Sequence, residues 1–295
     1  MSVGAKVRSQ LAKHAPKLEE AVVRANWRRH NRDRAFSPEQ VTSPPLRALL
    51  DGLSSDGVAV GTFDELIGDR PLWDEAAARA HELYAAWRPE EEAEAGSKAS
   101  YLTKLATGKY SADDPFVRIA LHPNVLEVAN GYLRMRSHLR ALELWLTRPT
   151  SGAAVQTQLW HRDADDVMNV KLFVYFTNVT RPAGPLTYAP GTHPLGDRRE
   201  MPEHDEHRRS SDEQMAGIVP EAEWRVLEGE PGTIVLADTC GYHKQLKPES
   251  DERVKLVCHY VSGTPYVAPA IEISGIDAGA LTDDQYYAVF DRARG

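Results

Sequence analysis

The spacing of apolar residues changes along the chain near residue 137. Up to that point, apolar positions recur every three or four residues, the period of an amphipathic helix. Asp74 and the pair His122–Pro123 supply helix starts for two of these segments. We therefore predict a helical N-terminal layer. Its clearest segments are LEEAVVRANWRRH (18–30), DEAAARAHELYAAW (74–87) and PNVLEVANGYLRM (123–135).

From about residue 138 to 262, short runs rich in β-branched and aromatic residues alternate with Gly/Pro turns. Short strands without intervening helices favour an antiparallel sandwich or barrel over a parallel α/β sheet. We predict a mainly β protein in which a helical N-terminal layer precedes a jelly-roll core. The predicted strands are residues 140–148, 154–160, 167–179, 185–189, 232–238 and 253–261.

Residues 194–224 are too polar and charged for a core strand. They predict a long insertion over one mouth of the barrel, and loops of this length are often lids. We expect one domain over residues 1–295. Its parts are a mainly helical layer (1–137), the jelly-roll core (138–262) and a C-terminal extension with a helix (263–295).

A histidine, a spacer and an acid, His161 and Asp163, stand between two predicted strands. Residues two apart at a strand end point to the same side, so both side chains can reach one spot. The pair is consistent with a pH-sensitive surface turn, a base with its orienting carboxylate, or two ligands of one metal. A second such motif, His204-Asp205-Glu206, lies in the charged insertion with no strand beside it, and we interpret His204 and His207 as solvated.

A third ligand should come from a distant segment that faces the same cavity. His243 is the candidate, because it follows a buried strand and a turn, 82 residues after His161. Two histidines and one carboxylate on one face of an octahedron suit Fe(II) and leave three adjacent positions open.

Arg253 opens the last predicted core strand, ten positions after His243. Alone it would be a surface arginine. Beside a metal site, its guanidinium can bind the far carboxylate of a dicarboxylic co-substrate as a two-pronged fork. Strand alternation places Arg253, Lys255, Val257 and His259 on one face and predicts that the other face packs in the core.

Composition excludes several other classes of function. The chain has 295 residues, 42% hydrophobic and 26% charged, as in an ordinary globular protein. A net charge of −8 argues against nucleic-acid binding, and no apolar run approaches the roughly 20 residues of a membrane span. The N-terminus lacks the apolar segment of a signal peptide, so a cytoplasmic location is expected. Cys240 and Cys258 form no CxxC pattern, which predicts buried, reduced thiols.

Residues 138–262 resemble the phytanoyl-CoA dioxygenase family of Fe(II)/2-oxoglutarate-dependent oxygenases. The motifs that carry the resemblance are His161-x-Asp163, AGPLTYAPGTH (183–193), PGTIVLADTCGYH (231–243) and Arg253. The resemblance implies a double-stranded β-helix in which iron is bound by His161, Asp163 and His243. It also implies that Arg253 holds the far carboxylate of 2-oxoglutarate.

The implied reaction consumes O2 and 2-oxoglutarate, releases succinate and CO2, and hydroxylates an unactivated C–H bond of a small or medium-sized organic substrate. The same iron centre also drives desaturation, cyclisation or epimerisation, and the sequence does not separate these. A metal-binding jelly roll that does not use 2-oxoglutarate is the alternative, and a non-catalytic scaffold is a third hypothesis. The carboxylate of Asp163 disfavours halogenation, because related halogenases have a small residue at that position.

The second anchor of 2-oxoglutarate is open. Many relatives carry Ser or Thr two residues after the distal histidine, and here that position is Gln245. Thr187 or Lys171 is expected to substitute for it.

Side chains alternate between two faces along the predicted strand 167–179, so its odd-numbered residues point to the same side as Asp163. We place these residues on the cavity side; they are Asn169, Lys171, Phe173 and Tyr175. Asn169 and Lys171 would be costly there without polar partners, so we expect them to face a ligand, with Lys171 reaching the rim as the alternative. Tyr101 and Lys104, in segment 99–114, are further substrate candidates, although a solvated connector is the favoured interpretation of that segment.

Overall fold

Strands from both halves of the chain form one main sheet. The computed structural model describes residues 16–88, 98–198 and 200–290. Its strands are β1 (Val58–Thr62), β2 (Leu102–Thr107), β3 (Lys109–Ser111), β4 (His138–Thr147), β5 (Val170–Tyr175), β6 (Leu186–Tyr188), β7 (Arg225–Leu227), β8 (Thr233–Ala237), β9 (His243–Gln245), β10 (Arg253–Val261) and β11 (Glu272–Ser274). The main sheet has the order β1–β8–β5–β10–β4–β2 and is antiparallel throughout. A second sheet has the order β7–β6–β9, and β3 pairs with β11 in parallel.

Helices cover the outer face of the main sheet. They are α1 (Pro16–His30), α2 (Pro44–Asp56), α3 (Phe63–Leu66), α4 (Arg70–Ala86), α5 (Lys98–Tyr101), α6 (Pro115–Ala120), α7 (Pro123–Leu133), α8 (Asp212–Ala216) and α9 (Asp283–Val289). Leucines of α2 and the apolar residues of α6 and α7 join the outward side chains of β4, β5 and β10 in one core. As predicted, the pair His122–Pro123 starts α7: His122 is the N-cap residue, and its ring accepts a hydrogen bond from the backbone N–H of Asn124.

The alternation predicted for β10 is confirmed. Val254, Leu256, Cys258 and Tyr260 pack in the helix-covered core. The residues between them belong to the inner face, where Val257 packs in a second cluster with side chains of β5, β6 and β8. The second sheet faces this inner side, so the two sheets form the predicted jelly-roll core behind an N-terminal helical layer.

The N-terminal layer, which we predicted to be mainly helical, also contributes strands to the main sheet. β1 and β2 lie within residues 1–137 and form the two edges of the main sheet. Segment 99–114, which we interpreted as a solvated connector, supplies β2 and β3 instead. These strands have three to six residues, too few for a period-2 pattern to stand out from the helical segments around them.

Other predicted boundaries also change. α2 is not among the helical segments named above; Pro44 and Pro45 occupy its first turn, where the missing N–H costs nothing. The helix start predicted at Asp74 lies instead at Asp69, whose side chain accepts from Leu72 N–H. The predicted strand 154–160 contains a 3-10 turn at Gln156–Gln158.

The charged insertion is anchored by its own apolar cluster. Met215, Val219, Trp224 and Ile218 pack with Trp160 and Tyr242. Lys244 contacts the same cluster, since its ammonium lies over the rings of Trp160 and Trp224. Residues 212–224 therefore cover the outer face of the second sheet, whereas His204 and His207 are exposed as predicted.

A buried polar network fixes the turn between β8 and His243. The carboxylate of Asp238 accepts hydrogen bonds from the Tyr132 hydroxyl (2.7 Å) and from Cys240 N–H (2.9 Å). The side-chain oxygen of Asn169 accepts from the backbone N–H and hydroxyl of Thr239. Burial raises the pKa of Asp238 to about 6. Asn169 thus supports the backbone of this turn and does not face a ligand, which corrects our prediction.

Within the described residues, no helix is long and apolar enough to cross a membrane. Cys240 and Cys258 are buried free thiols, as predicted.

Replacing Leu256 by alanine should lower the free energy of unfolding by about 2–5 kcal/mol, because the fully buried side chain leaves a cavity between Val174 and Leu144. Val60→Ala, on edge strand β1 and 49% exposed, is the control and should stay within about 0.5 kcal/mol of the wild type. Urea unfolding measures both. A loss below about 1 kcal/mol for Leu256→Ala would contradict the buried position.

The raised pKa of Asp238 predicts a pH-dependent stability. Because the folded-state pKa exceeds the unfolded value, the ionised carboxylate destabilises the fold, and stability is lost as pH rises through about 6. Between pH 5 and 8 the wild type should lose about 1–2 kcal/mol more than Asp238→Asn. Urea unfolding of both proteins at the two pH values measures this difference, and parallel pH profiles would show the prediction to be wrong.

Candidate metal centre

His161 and His243 are joined by their backbones. Each backbone N–H donates to the carbonyl of the other residue at 3.0 Å, and the ring centroids lie 4.2 Å apart. Asp163 is fixed in the same way, since its N–H donates to the carbonyl of Thr239 at 2.8 Å. The main chain therefore aims three side chains from two distant segments at one point.

The three side chains offer ligand atoms that all lie within 4.8 Å of one another. Nε2 of His161 is 3.9 Å from Oδ1 of Asp163, and Nε2 of His243 is 3.8 Å from Oδ2. The Nδ1 atoms face the carbonyl oxygens of Leu159 (2.9 Å) and Gly241 (3.0 Å). A carbonyl can only accept, so each Nδ1 carries the proton and each Nε2 presents its lone pair towards the carboxylate. This donor set fits Fe(II).

The protonation states of the three side chains also favour metal binding. Burial lowers the pKa of His161 well below its ordinary value and lowers that of His243. For Asp163, burial alone would raise the pKa, but Lys171 and the two histidines outweigh it and hold the pKa well below its usual range. Neutral imidazoles and an ionised carboxylate are the forms that bind a cation.

Lys171 lies beside this triad. Its ammonium is 2.6 Å from Oδ2 of Asp163. Burial lowers the pKa of Lys171, but Asp163 outweighs it, and the net shift is upward. The side chain thus neither snorkels to the rim nor joins Arg253; it contacts the carboxylate of a candidate metal ligand.

Arg253 is buried on the same inner face. Its Nη2 donates to Oε1 of Gln245 at 2.7 Å, and Nζ of Lys255 donates to the same oxygen at 3.0 Å. Within the described residues, Nε and Nη1 of Arg253 have no hydrogen-bond partner. Burial lowers the pKa of Arg253 to about 10, and burial together with Arg253 lowers that of Lys255 well below its ordinary value. Two buried cations that share one neutral oxygen make a site suited to an anion.

Three other residues that we predicted to line the cavity or hold the co-substrate either do not contact this anion site or have packing roles. Thr187 pairs with Lys244, which contacts the outer cluster, and therefore lies on the face opposite His243 and Gln245; it is not positioned as a co-substrate anchor. The Tyr175 hydroxyl donates to the carbonyl of Leu227 at 2.8 Å. Phe173 lies under the Lys255 ammonium, 4.5 Å from ring centroid to Nζ, and forms an apolar wall of the inner face.

The two candidates from segment 99–114 are paired with protein groups. The Tyr101 hydroxyl lies 2.8 Å from the hydroxyl of Thr157. Nζ of Lys104 lies 2.6 Å from Oε1 of Glu143, at the edge of the main sheet.

Sequence reasoning assigned no role to several inner-face residues. Lys255 and His259 were placed on this face by alternation, but neither spacing nor motif indicated their partners. Arg140 and Asp165 were not predicted. For Arg140 the reason is that its direction depends on an irregularity in strand pairing, which no residue pattern marks.

Comparisons with known proteins agree with this geometry. The sequence profile of the family described as phytanoyl-CoA dioxygenase (PhyH) matches residues 73–251. No curated protein matches the chain.

Solved structures share the fold. A crystal structure of the epimerase SnoN in complex with Fe3+, alpha ketoglutarate and nogalamycin RO is 20% identical, with a TM-score of 0.54, covering 78% of this chain and 87% of SnoN. AviO1 from Streptomyces viridochromogenes Tue57 is 18% identical, with a TM-score of 0.52 and coverages of 78% and 100%. EctD from S. alaskensis with 2-oxoglutarate and 5-hydroxyectoine is 17% identical, with a TM-score of 0.51 and coverages of 81% and 89%.

The family profile spans more than half of the chain, and its matched range includes all three residues that converge on one point, His161, Asp163 and His243. The chain belongs to the phytanoyl-CoA dioxygenase (PhyH) family of iron- and 2-oxoglutarate-dependent enzymes.

Proposed function

We propose that this protein hydroxylates an unactivated C–H bond of a small or medium-sized organic molecule. The observation that carries the proposal is the convergence of His161, Asp163 and His243 on one point, with ligand atoms within 4.8 Å of one another. In this proposal the three residues hold Fe(II) on one face and leave the opposite face for co-substrate and O2.

Arg253 is the proposed anchor of the far carboxylate of 2-oxoglutarate. Its Nε and Nη1 have no hydrogen-bond partner in the part of the chain that the structure describes, and they can donate to a carboxylate. Gln245 holds the guanidinium through Nη2 and thereby fixes its orientation. Bound iron, together with 2-oxoglutarate and O2, would supply the oxidising power that breaks the C–H bond, with release of succinate and CO2.

The inner face supplies a dry wall between the two ends of the site. Phe173 and Val257 are buried there, and Trp145 lies beside them with the Lys255 ammonium 5.2 Å from its ring centroid. An apolar wall excludes water and keeps the oxidising centre for the bound substrate.

Epimerisation is the second candidate. The fold is shared with SnoN, which is described as an epimerase in complex with Fe3+ and alpha ketoglutarate. Hydroxylation adds one oxygen atom to the substrate, whereas epimerisation leaves its mass unchanged, so mass spectrometry of the product separates them.

Loss of one ligand should abolish tight metal binding. We expect His243→Ala and Asp163→Ala to weaken Mn(II) binding at least about 100-fold, because even outer partners of metal ligands contribute 10- to 100-fold. His204→Ala, in the exposed His-x-acid motif, is the matched control and should bind as the wild type does. Electron paramagnetic resonance of free Mn(II) measures the affinity. Unchanged binding by Asp163→Ala would remove the carboxylate from the site.

Anaerobic titration of the Fe(II) protein with 2-oxoglutarate should produce the visible charge-transfer band of the chelate. Arg253→Gln should need at least about tenfold more 2-oxoglutarate, because it loses a charge-assisted pair. Arg148→Gln is the control, since that guanidinium lies over Trp87 and bonds Thr103. Admitting O2 should then yield succinate.

Two results would overturn the proposal. Iron that binds without the band would indicate a metal-binding jelly roll that does not use 2-oxoglutarate. Absence of iron binding would leave His161, Asp163 and His243 as a polar cluster that binds no metal.

A further inference from the structure

A row of polar side chains crosses three adjacent strands beside the metal centre. His259 of β10 stands directly opposite Lys171 of β5, whose ammonium contacts Asp163. On the other side of β10, Arg140 of β4 reaches the same row, with Nη1 3.5 Å from Nδ1 of His259. This row lies at the opposite end of β10 from Arg253, so it is separate from the proposed 2-oxoglutarate anchor.

Arg140 points inward because of a β-bulge. Along β4 and β10, His259 pairs with Ala141, but Tyr260 pairs with Leu139, so Arg140 is an extra residue in the ladder. In a regular strand, Arg140 would share the outer face with Leu142, in the helix-covered core. A bulge redirects a side chain, and such bulges are over-represented next to active sites.

Two donors of the row have no hydrogen-bond partner within the described residues. Nδ1 of His259 accepts from Arg140, so Nε2 carries the proton, and this buried N–H makes no hydrogen bond within the described residues. Nε of Arg140 is likewise without a partner in the described part of the chain. His259 is only 2% exposed, so these unused donors are costly unless a ligand completes them.

One acid stands near the row without closing it. Oδ1 of Asp165 lies 3.6 Å from Nη2 of Arg140, and Oδ2 lies 4.0 Å from Nε2 of His259, both too long for a hydrogen bond. Asp165 offsets one positive charge, while Lys171 is already paired with Asp163. The remaining donors therefore suit an anion of low charge, since a phosphate dianion would be repelled by Asp165.

Position supports a role in substrate binding. Asp165 is two residues beyond the ligand Asp163, and Arg140 stands two strands from Lys171, roughly 10 Å across the sheet. The side chains of Arg140 and Asp165 are 17% and 22% exposed, so solvent reaches them. A molecule held here would extend naturally towards the metal.

We propose that Arg140, with the Nε2–H of His259, binds a carboxylate group of the substrate and orients it at the metal centre. This inference rests on the proposed function and adds to it the chemical class of the substrate, an organic acid. The guanidinium presents two parallel N–H donors to the two carboxylate oxygens, and the imidazole N–H supplies a third.

The test uses a matched acid and amide on the Fe(II) protein, kept anaerobic and saturated with 2-oxoglutarate so that Arg253 is occupied. The probes are 3-phenylpropionate, 3-phenylpropionamide and phenyl phosphate, measured by isothermal titration calorimetry. We expect the acid to bind at least tenfold more tightly than the amide, and more tightly than phenyl phosphate. Arg140→Gln should reduce the preference for the acid to less than threefold, and Arg140→Lys should give an intermediate value, because it keeps the charge and loses the fork.

Arg148→Gln, one residue beyond the end of β4, is the control and should keep the wild-type preference. The charge-transfer band of 2-oxoglutarate, recorded on the same samples, should be unchanged in Arg140→Gln, which also shows that this variant is folded. If Arg140→Gln fails to give the band, Arg140→Lys carries the comparison.

Several results would overturn the inference. These are equal binding of acid and amide by the wild type, tighter binding of phenyl phosphate, or an undiminished preference for the acid in Arg140→Gln. A missing charge-transfer band in the wild type is a different failure, that of the proposed function. The acid and amide would then be compared in the metal-free wild type and Arg140→Gln, where the same outcomes decide the role of Arg140.

Discussion

The pair of backbone hydrogen bonds between His161 and His243 is the constraint on which the site depends. It ties the segment before β5 to the start of β9 and so joins the main sheet to the second sheet at the candidate metal centre. The imidazoles would diverge if either segment shifted by one residue, because neighbouring side chains of an extended chain point to opposite sides. The network around Asp238 and Asn169 serves the same end, since it fixes the turn that delivers His243. The hydrogen bonds of these buried polar groups offset the cost of removing them from water.

The inner face separates its charges into two ends. At one end, Arg253 and Lys255 share the oxygen of Gln245, and no acidic side chain contacts either of them among the described residues. At the other, Arg140 and His259 each have a donor without a partner in the described ranges, beside Asp165. Lys171, opposite His259 at this second end, is paired with the carboxylate of Asp163. Buried charge is tolerated only where it is paired, so the unmatched ends indicate where ligands complete the fold.

Sequence reasoning succeeded where a local pattern has one structural meaning. The outward residues of β10 alternate with charged ones, and this alternation predicted both the core face and the inner position of Arg253. It failed where tertiary pairing decides. Thr187 was a candidate anchor by its polarity, but its pairing with Lys244 turns it to the outer face. Alternation places Asn169 on the inner face, but its amide oxygen accepts a hydrogen bond from the Thr239 hydroxyl. Strand β2 and the 3-10 turn at Gln156–Gln158 were misassigned because short segments leave too little periodicity to read.

Arg140 shows why the remaining part of the site was out of reach. By strict alternation it belongs with Leu142 and Leu144 on the apolar face, where an arginine would be a local inconsistency. The register shift between His259 and Tyr260 resolves that inconsistency by turning the side chain inward. A bulge leaves one residue unpaired and disturbs the ladder, so it weakens β-pairing in return for a redirected side chain. Such a local departure from the pattern is expected at a functional position. Here the bulge turns the guanidinium of Arg140 inward, at the end of the sheet nearest Asp163, where it can contact a ligand.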